Sequence, residues 1–357
     1  MRALFVDQFS EIGGGQRCFL ELLPALHECG WEVAAAIPEG GPMFRHLAAT
    51  HIPCGPYHSG AKNGFDQLRF ASDVYRQVRV IACFLRDRRF DLIYVNGPRV
   101  LPGAVLGSRR RVPVLFHAHN YLNQRSAAQM AGWSIRASRA TVIACSDFVG
   151  RQLRQFAPES KIQVVPNGVP DLGFIRRTFQ KLWRIGVIGR IEPQKGQAEF
   201  LQAARLLQGC RFVICGAPSA SCPEYYERVR ELARGLPVEF MGWQENMASV
   251  YAQLDLVVIP SEQEAFSLVM LEAFSAGVPV IAFAVGGLAE AIVDEESGFL
   301  VRESSAEALR TRIESLKQGG ASHLQRVASN ARTLWEKSYN VTLYRQRMVD
   351  CMEQASR

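Results

Sequence analysis

The sequence contains no run approaching the ~20 uninterrupted apolar residues that a bilayer-spanning helix needs. Its opening, MRALFVD, reaches Asp7 too soon for a secretory leader and reads instead as a first strand. Its nine cysteines include no Cys-x-x-Cys pair, so the spacing typical of zinc sites and redox motifs is missing. Most lie in apolar or helical surroundings, as Cys83 does in VIACFL, where cysteine acts as a small hydrophobe. With no export signal, reduced thiols and a cytoplasmic location are expected. There is no Asp-x-Asp motif; the nearest approach is Asp294-Glu295-Glu296 in a surface turn. No internal repeat, helix-turn-helix or RNA-binding signature is visible, and the basic residues are not interleaved with aromatics, which argues against a nucleic-acid partner.

What is present is an ordinary globular composition, 48% hydrophobic and 21% charged over 357 residues, enough chain for about two domains. The net charge of +7 is unevenly placed. Residues 1–170 hold 20 Lys+Arg against 12 Asp+Glu, leaving 21 against 22 in residues 171–357. The positive excess belongs to the first half and points to an anionic partner such as a phosphorylated substrate or an acidic membrane surface.

Short β-rich runs alternate with helical patterns, which predicts an α/β protein with parallel sheets. In the first half the expected strands are 3–6, 32–37, 92–95, 114–117 and 141–145. Helices are expected over 17–29, with Pro24 kinking it or shifting its start, and over 67–88. Two Pro and two Gly in VVPNGVPDLG, 164–173, mark a break. The strand–helix rhythm then restarts through strands 184–187, 211–215, 238–240, 256–259 and 280–283.

Four constellations carry chemistry. In IPSEQEAFSLVMLEAFSAGVPVIAF, Glu264 and Glu272 stand eight positions apart after an apolar strand, with Ser267 placed to cap the helix between them. Glu264 then falls at the carboxyl end of a parallel strand, where ligands bind in such sheets. The helix N-terminus suits a phosphate, so the carboxylates are better matched to sugar hydroxyls. In VIGRIEPQKGQ, Arg190 and Lys195 follow another strand and fit a diphosphate. In FSEIGGGQR, Gly13, Gly14 and Gly15 separate the first strand from the first helix. Cys18 stands where a dinucleotide fingerprint would have glycine, although Glu39 at the second strand's end keeps that reading open. In LFHAHN, His117 and His119 share one side of a strand end, with no nearby carboxylate to complete a metal site.

The order GGGQR, HAHN, VVPNGV, GRIEPQKG, SEQEAFSLVMLEAFSAGVPVIA, VGGLAEAI and SGFLV resembles glycosyltransferase family 4 over nearly the whole chain, most densely from 184 to 302. The resemblance implies the GT-B architecture, two facing Rossmann-like domains with parallel sheets and an interdomain cleft. It places an acceptor-binding domain at 1–168, a nucleotide-sugar donor-binding domain at 169–335, and a C-terminal helix, 336–357, packing back on the first. It implies a retaining hexosyltransferase that moves a sugar from a nucleotide-diphosphate sugar to a glycan or lipid-linked hydroxyl acceptor, in cell-surface or exopolysaccharide synthesis, with no metal or other cofactor. Peripheral association with the anionic inner membrane face would suit the basic half, with Arg86, Arg88, Arg89 and Arg109–Arg111 as contacts. An epimerase-like sugar-nucleotide enzyme on the same frame is the alternative. A phosphorylase would need a pyridoxal-binding Lys that the sequence does not display.

By matched position, the resemblance gives Glu264 the donor-sugar hydroxyls, Glu272 the ribose, and Arg190 and Lys195 the diphosphate. Gly189 and the run Ala265, Phe266, Ser267 and Leu268 join the donor site, as do Gly13, Gly14 and Gly15 and, at the hinge turn, Asn167. The active-site histidine falls six residues after the proline that opens its strand; from Pro113 this is His119, not His117. Catalytic roles are thus expected for His119, Glu264, Arg190 and Lys195. Position 16, usually Glu in the family, is Gln16, so that side chain is not carried over.

Overall fold

The runs 3–6, 33–37, 92–95, 114–116 and 142–144 are β-branched, aromatic and small apolar residues buried on both faces, the signature of a parallel sheet covered by helices. The computed structural model describes residues 1–49, 54–57, 67–175 and 183–357. The chain divides into unit 1, Met1–Asn167 with Thr342–Arg357, and unit 2, Gly168–Val341.

Unit 1 is built from β1 (Arg2–Asp7), α1 (Gly14–Glu28), β2 (Glu32–Pro38), α2 (Pro42–Ala49), β3 (Cys54–Tyr57), α3 (Gln67–Asp87), β4 (Leu92–Asn96), α4 (Leu101–Ser108), β5 (Val114–Ala118), α5 (Arg125–Ser138), β6 (Thr141–Ala144), α6 (Asp147–Phe156) and β7 (Ile162–Val164). The all-parallel sheet has the order β3-β2-β1-β4-β5-β6-β7. The order reverses at the β1–β4 junction, where the crevice for a ligand opens at the carboxyl edge. Register sets Asp7 beside Asn96 and Asn96 beside His117 along that edge.

Helix α1 begins at Gly14, three residues earlier than the pattern suggests, and passes through Pro24 without ending. Proline costs a helix interior about 3 kcal/mol. Burying Phe19, Leu22, Leu23 and Leu26 against the sheet offsets that at about 1.5–3 kcal/mol per side chain.

Unit 2 repeats the plan with β8 (Trp183–Ile188), a 3₁₀ turn Pro193–Lys195, α7 (Gln197–Ala204), β9 (Cys210–Cys215), α8 (Pro223–Leu232), β10 (Val238–Gly242), α9 (Met247–Ala252), β11 (Leu256–Ile259), α10 (Leu268–Ala276), β12 (Val280–Phe283), α11 (Gly286–Ala291), β13 (Phe299–Val301), α12 (Ala306–Gly319) and α13 (Ala321–Ser338). Its parallel sheet runs β10-β9-β8-β11-β12-β13, so the switch point lies between β8 and β11. Phe200, Phe212, Phe283 and Phe299 fill the core between this sheet and its helices.

The last helix, α14 (Val341–Ser356), belongs to unit 1 from Thr342 onward. The Tyr344 hydroxyl donates to the Cys18 carbonyl at 3.2 Å, and Arg345 donates to Glu21. The return thus begins later than the 336 expected from sequence. Residues 339–341 are held in unit 2 by Val169, through Val169 N–H to Tyr339 O at 3.1 Å and Val341 N–H to Val169 O at 3.0 Å. Among the described residues no helix is long and apolar enough to cross a membrane.

Candidate active site

In unit 2 the functional candidates gather at the carboxyl ends of β8 and β11. After β8 the chain turns through Gly189 and Arg190 into the 3₁₀ turn that ends in Lys195. After β11 it runs through Pro260 to Glu264 and into α10, whose N-cap Ser267 accepts from the Met270 amide at 3.2 Å. Two main-chain bonds bind these loops to the frame: Glu262 N–H to Gln194 O at 3.0 Å, and Gly287 N–H to Glu264 O at 2.8 Å. The buried ring of Phe266 packs edge-on against Tyr339, so its side chain anchors the loop. Ala265 likewise contributes backbone, its carbonyl lying against Gly287.

The result of this tethering is an ion pair. Lys195 Nζ donates to Glu264 Oε2 at 2.7 Å, with both side chains partly buried. Arg190, at the start of the same loop, is mostly exposed and pairs with Glu192 at 3.2 Å. Its carbonyl accepts from the buried side chain of Gln197 at 2.9 Å, which fixes the main chain beneath the guanidinium. The amides of Leu268 and Val269, in the first turn of α10, have no acceptor within the helix. Lys195 thus meets Glu264 directly, on the loop that leads into the N-terminus of α10, and Arg190 adds a second cation to the loop that carries Lys195.

Glu272 sits one turn inside α10, fully buried, where its carboxylate accepts from the Tyr251 hydroxyl at 2.8 Å. Tyr251 on α9 is a partner that the sequence does not reveal.

In unit 1 the glycine loop and the histidines meet. A Cβ on Gly15 would stand 2.9 Å from Cδ2 of the His119 ring, so glycine is required for the first turn of α1 to lie against that ring. The His119 ring lies against His117, centroids 3.8 Å apart and planes tilted by 43°. His117 is buried and hydrogen-bonds the Tyr94 hydroxyl through Nδ1, which makes it the structural member of the two. Among the described residues neither ring nitrogen of His119 has a hydrogen-bond partner. Burial pushes its pKa down to about 4, so the imidazole is neutral near pH 7. Burial, with His119 alongside, also holds His117 well below its ordinary value. Asn167 closes unit 1 as a buried side chain whose Oδ1 meets no partner among the described residues.

The same edge carries a buried acid that reasoning from sequence missed. Asp7 ends β1 and accepts from the Phe9 amide at 2.9 Å, from Gln16 and from Asn96. Desolvation raises its pKa to about 6, against the pull of those donors. A usable signal existed: polar residues end both apolar strands at the switch point, Asp7 on β1 and Asn96 on β4.

The arginines offered as contacts for an anionic surface are placed by the ends of their helices. Arg86, Arg88 and Arg89 cluster where α3 ends before β4, and Arg109–Arg111 where α4 ends before β5. Both groups border the amino edge of the sheet, whereas His119 follows the carboxyl end of β5. Five residues of strand separate the edges by roughly 16 Å. Helix C-termini and ligand loops occupy opposite edges of a parallel sheet, so these arginines and His119 do not share one edge.

Residues 12–171 match the model of Glycosyltransferase Family 4, and residues 183–318 that of Glycosyl transferases group 1. The D-inositol 3-phosphate glycosyltransferase of Salinispora tropica is 35% identical over 345 residues, covering 82% of this chain and 71% of its own length. The protein of that name from Mycolicibacterium smegmatis is 42% identical over 130 residues, 35% of this chain. The matched segment spans only 30% of that relative's length, and 28% for the one from Mycobacteroides abscessus. Among solved structures, HepE of Anabaena in complex with UDP and glucose superposes with a TM-score of 0.82 at 22% identity, covering 99% of both chains. Sucrose-phosphate synthase from Thermosynechococcus elongatus gives 0.81 at 19% identity, again over 99% of both. At these identities the likeness establishes a shared fold.

Proposed function

This chain belongs to glycosyltransferase family 4, and we propose that it moves a sugar from a nucleotide-diphosphate sugar to a hydroxyl acceptor, with retention at the anomeric carbon and without a bound metal. The observation that carries this reading is the Lys195–Glu264 pair at the switch point of unit 2, beside Arg190 and the start of α10. An ammonium has three donors. With one given to Glu264, Lys195 still serves a phosphate oxygen while Glu264 accepts from a sugar hydroxyl, so one pair registers both parts of the donor. Arg190 and the α10 amides add positive charge where the diphosphate departs. Glu272, held by Tyr251, is assigned the ribose, and the neutral imidazole of His119 with the Gly13–Gly15 loop the carbohydrate side in unit 1.

HepE, solved with UDP and glucose, makes UDP-glucose the first donor to test. The relatives' name adds phosphorylated inositol to glycans and lipid-linked saccharides as acceptors to try. A ligand that binds only the native state raises stability by RT ln(1 + [L]/Kd). A thermal-shift screen across nucleotide sugars should therefore single out one donor, and that donor should turn over in excess chelator. Complete loss of turnover on chelation contradicts the metal-free reading.

We also assign the basic half a role at an anionic membrane surface of the cell envelope. Residues 92–146 contain seven arginines and no Asp or Glu. Leu106 on α4 (49% exposed) and Met130 (38%) and Trp133 (46%) on α5 are exposed apolar side chains, and Arg109–Arg111 follow α4 directly. Arg110 donates to the Ala137 carbonyl at 3.1 Å and joins the two helix ends. Exposed tryptophan with arginine beside it suits the headgroup region of a bilayer. Co-sedimentation with anionic vesicles should weaken as salt rises and fall in a Trp133→Ala, Arg109→Ala variant; binding equally well to neutral vesicles contradicts the assignment.

A further inference from the structure

The glycine loop of unit 1 is set by a connected series of contacts that begins at Asp7. Gln16 lies at the third position of α1, where its Oε1 accepts the Gly13 amide at 3.1 Å. That bond fixes the orientation of the side-chain amide, so Nε2 points inward and donates to both oxygens of Asp7 at 2.9 Å. Asp7 is itself fixed by the Phe9 amide and by Asn96 Nδ2. Both Asp7 and Gln16 are buried. Gly15 directly precedes Gln16 in the first turn of α1, and a Cβ there would stand 2.9 Å from the His119 ring.

We propose that Asp7 and Gln16 are a matched acid–amide pair that positions the Gly13–Gly15 loop against His119, with Asp7 carrying the negative charge that the resemblance expects from a glutamate at position 16. Gln16 is thus a positioning residue, and its identity is dictated by Asp7. A carboxylate at position 16 could still accept from Gly13, but its second oxygen would face the two oxygens of Asp7 in a buried site, where two carboxylates cannot both ionise. An asparagine at position 7 alone would put an NH2 in place of one of the two oxygens that Gln16 Nε2 meets, donor against donor, and leave one acceptor where there were two. Exchanging both restores complementarity: the carboxylate introduced at position 16 accepts from the Gly13 amide and from the amide introduced at position 7. The Asn96 amide, whose Oδ1 meets no partner among the described residues, can turn to accept from that same introduced amide.

The test is a double-mutant cycle of Gln16→Glu, Asp7→Asn and the two combined, read by thermal midpoint and by kcat and KM for the donor found above. Each single variant should melt earlier than wild type and lose at least about tenfold in kcat with KM changed less; a like-charge or donor–donor clash in a buried pair is of that order. The combined variant should recover both quantities, and if Gln16→Glu does not fold, the folding of the combined variant is itself the recovery. A combined variant no better than the worse single one, or a Gln16→Glu variant indistinguishable from wild type, overturns the proposal. The kinetic arm rests on the transferase reading, but the melting arm does not: a wild-type protein that turns over no nucleotide sugar defeats that reading and leaves the pair decided by melting.

Discussion

Lys195→Ala is expected to lower kcat for the nucleotide-sugar donor by about 10²–10³-fold, the loss that follows removal of one preorganised donor at a developing oxyanion. Two effects run in the same direction. The departing diphosphate loses a compact cation, and Glu264 loses the partner that neutralises it at 2.7 Å. An uncompensated carboxylate then faces incoming phosphates. Lys195→Arg should recover only part of the rate, because a planar fork cannot satisfy Glu264 and a phosphate from the same point. Adding Glu264→Gln to Lys195→Ala removes the repulsion and should raise donor affinity above that of Lys195→Ala alone. Steady-state kinetics on the four proteins check this, and turnover by Lys195→Ala within twofold of wild type with every donor contradicts it.

Gly196→Ala is the second substitution expected to have a large effect, here on stability. Gly196 joins the 3₁₀ turn to α7 with φ of 67°, and a Cβ there would lie 1.9 Å from the Pro260 carbonyl oxygen. Pro260 directly follows β11, so the obstacle is main chain and cannot rotate away. Left-handed strain costs about 1–2 kcal/mol. The forced separation of the loops carrying Lys195 and Glu264 should bring the total to about 4 kcal/mol, in the range of severe single substitutions. For a unit of this size that corresponds to a fall of roughly 10 °C in melting temperature. Gly235→Ala is the control: φ is 75°, but no atom lies within 4 Å of the added Cβ, so it should cost only the strain. Equal melting temperatures for the two variants would show that close approach to Pro260 is not what demands glycine.

Much of this arrangement is legible in the sequence, for reasons that differ by residue. The strand ends at Gly189 and Pro260 stand out because apolar runs stop there and polar loops follow, which places Arg190, Lys195 and Glu264 on one sheet edge. That Lys195 and Glu264 pair with each other is not legible, since 69 residues separate them and either could face the ligand alone. The Ser267 cap can be read locally because it depends on a bond only three residues long. The burial of Glu272 cannot, because it depends on Tyr251 from another helix. The start of α1 is misplaced for the same reason: Gly14 and Gly15 read as loop until Gln16 is seen bonding both Gly13 and Asp7. The edge strands β3 and β7 also escape notice. They are short, β3 contains Pro56, and an edge position tolerates a proline that a central strand would not. The basic half is evident from composition, but which edge of the sheet bears the arginines follows only from where the helices end.

The central claim, that unit 2 recognises a diphosphate through Lys195, Arg190 and the start of α10, is tested most directly by calorimetric titration in excess chelator. The titrants are the nucleoside, nucleoside monophosphate and nucleoside diphosphate of the donor that turns over. Affinity should rise at each step, by at least about tenfold from monophosphate to diphosphate, worth roughly 1.4 kcal/mol, and that last step should vanish in Lys195→Ala. Equal binding of monophosphate and diphosphate by the wild-type protein would contradict the account.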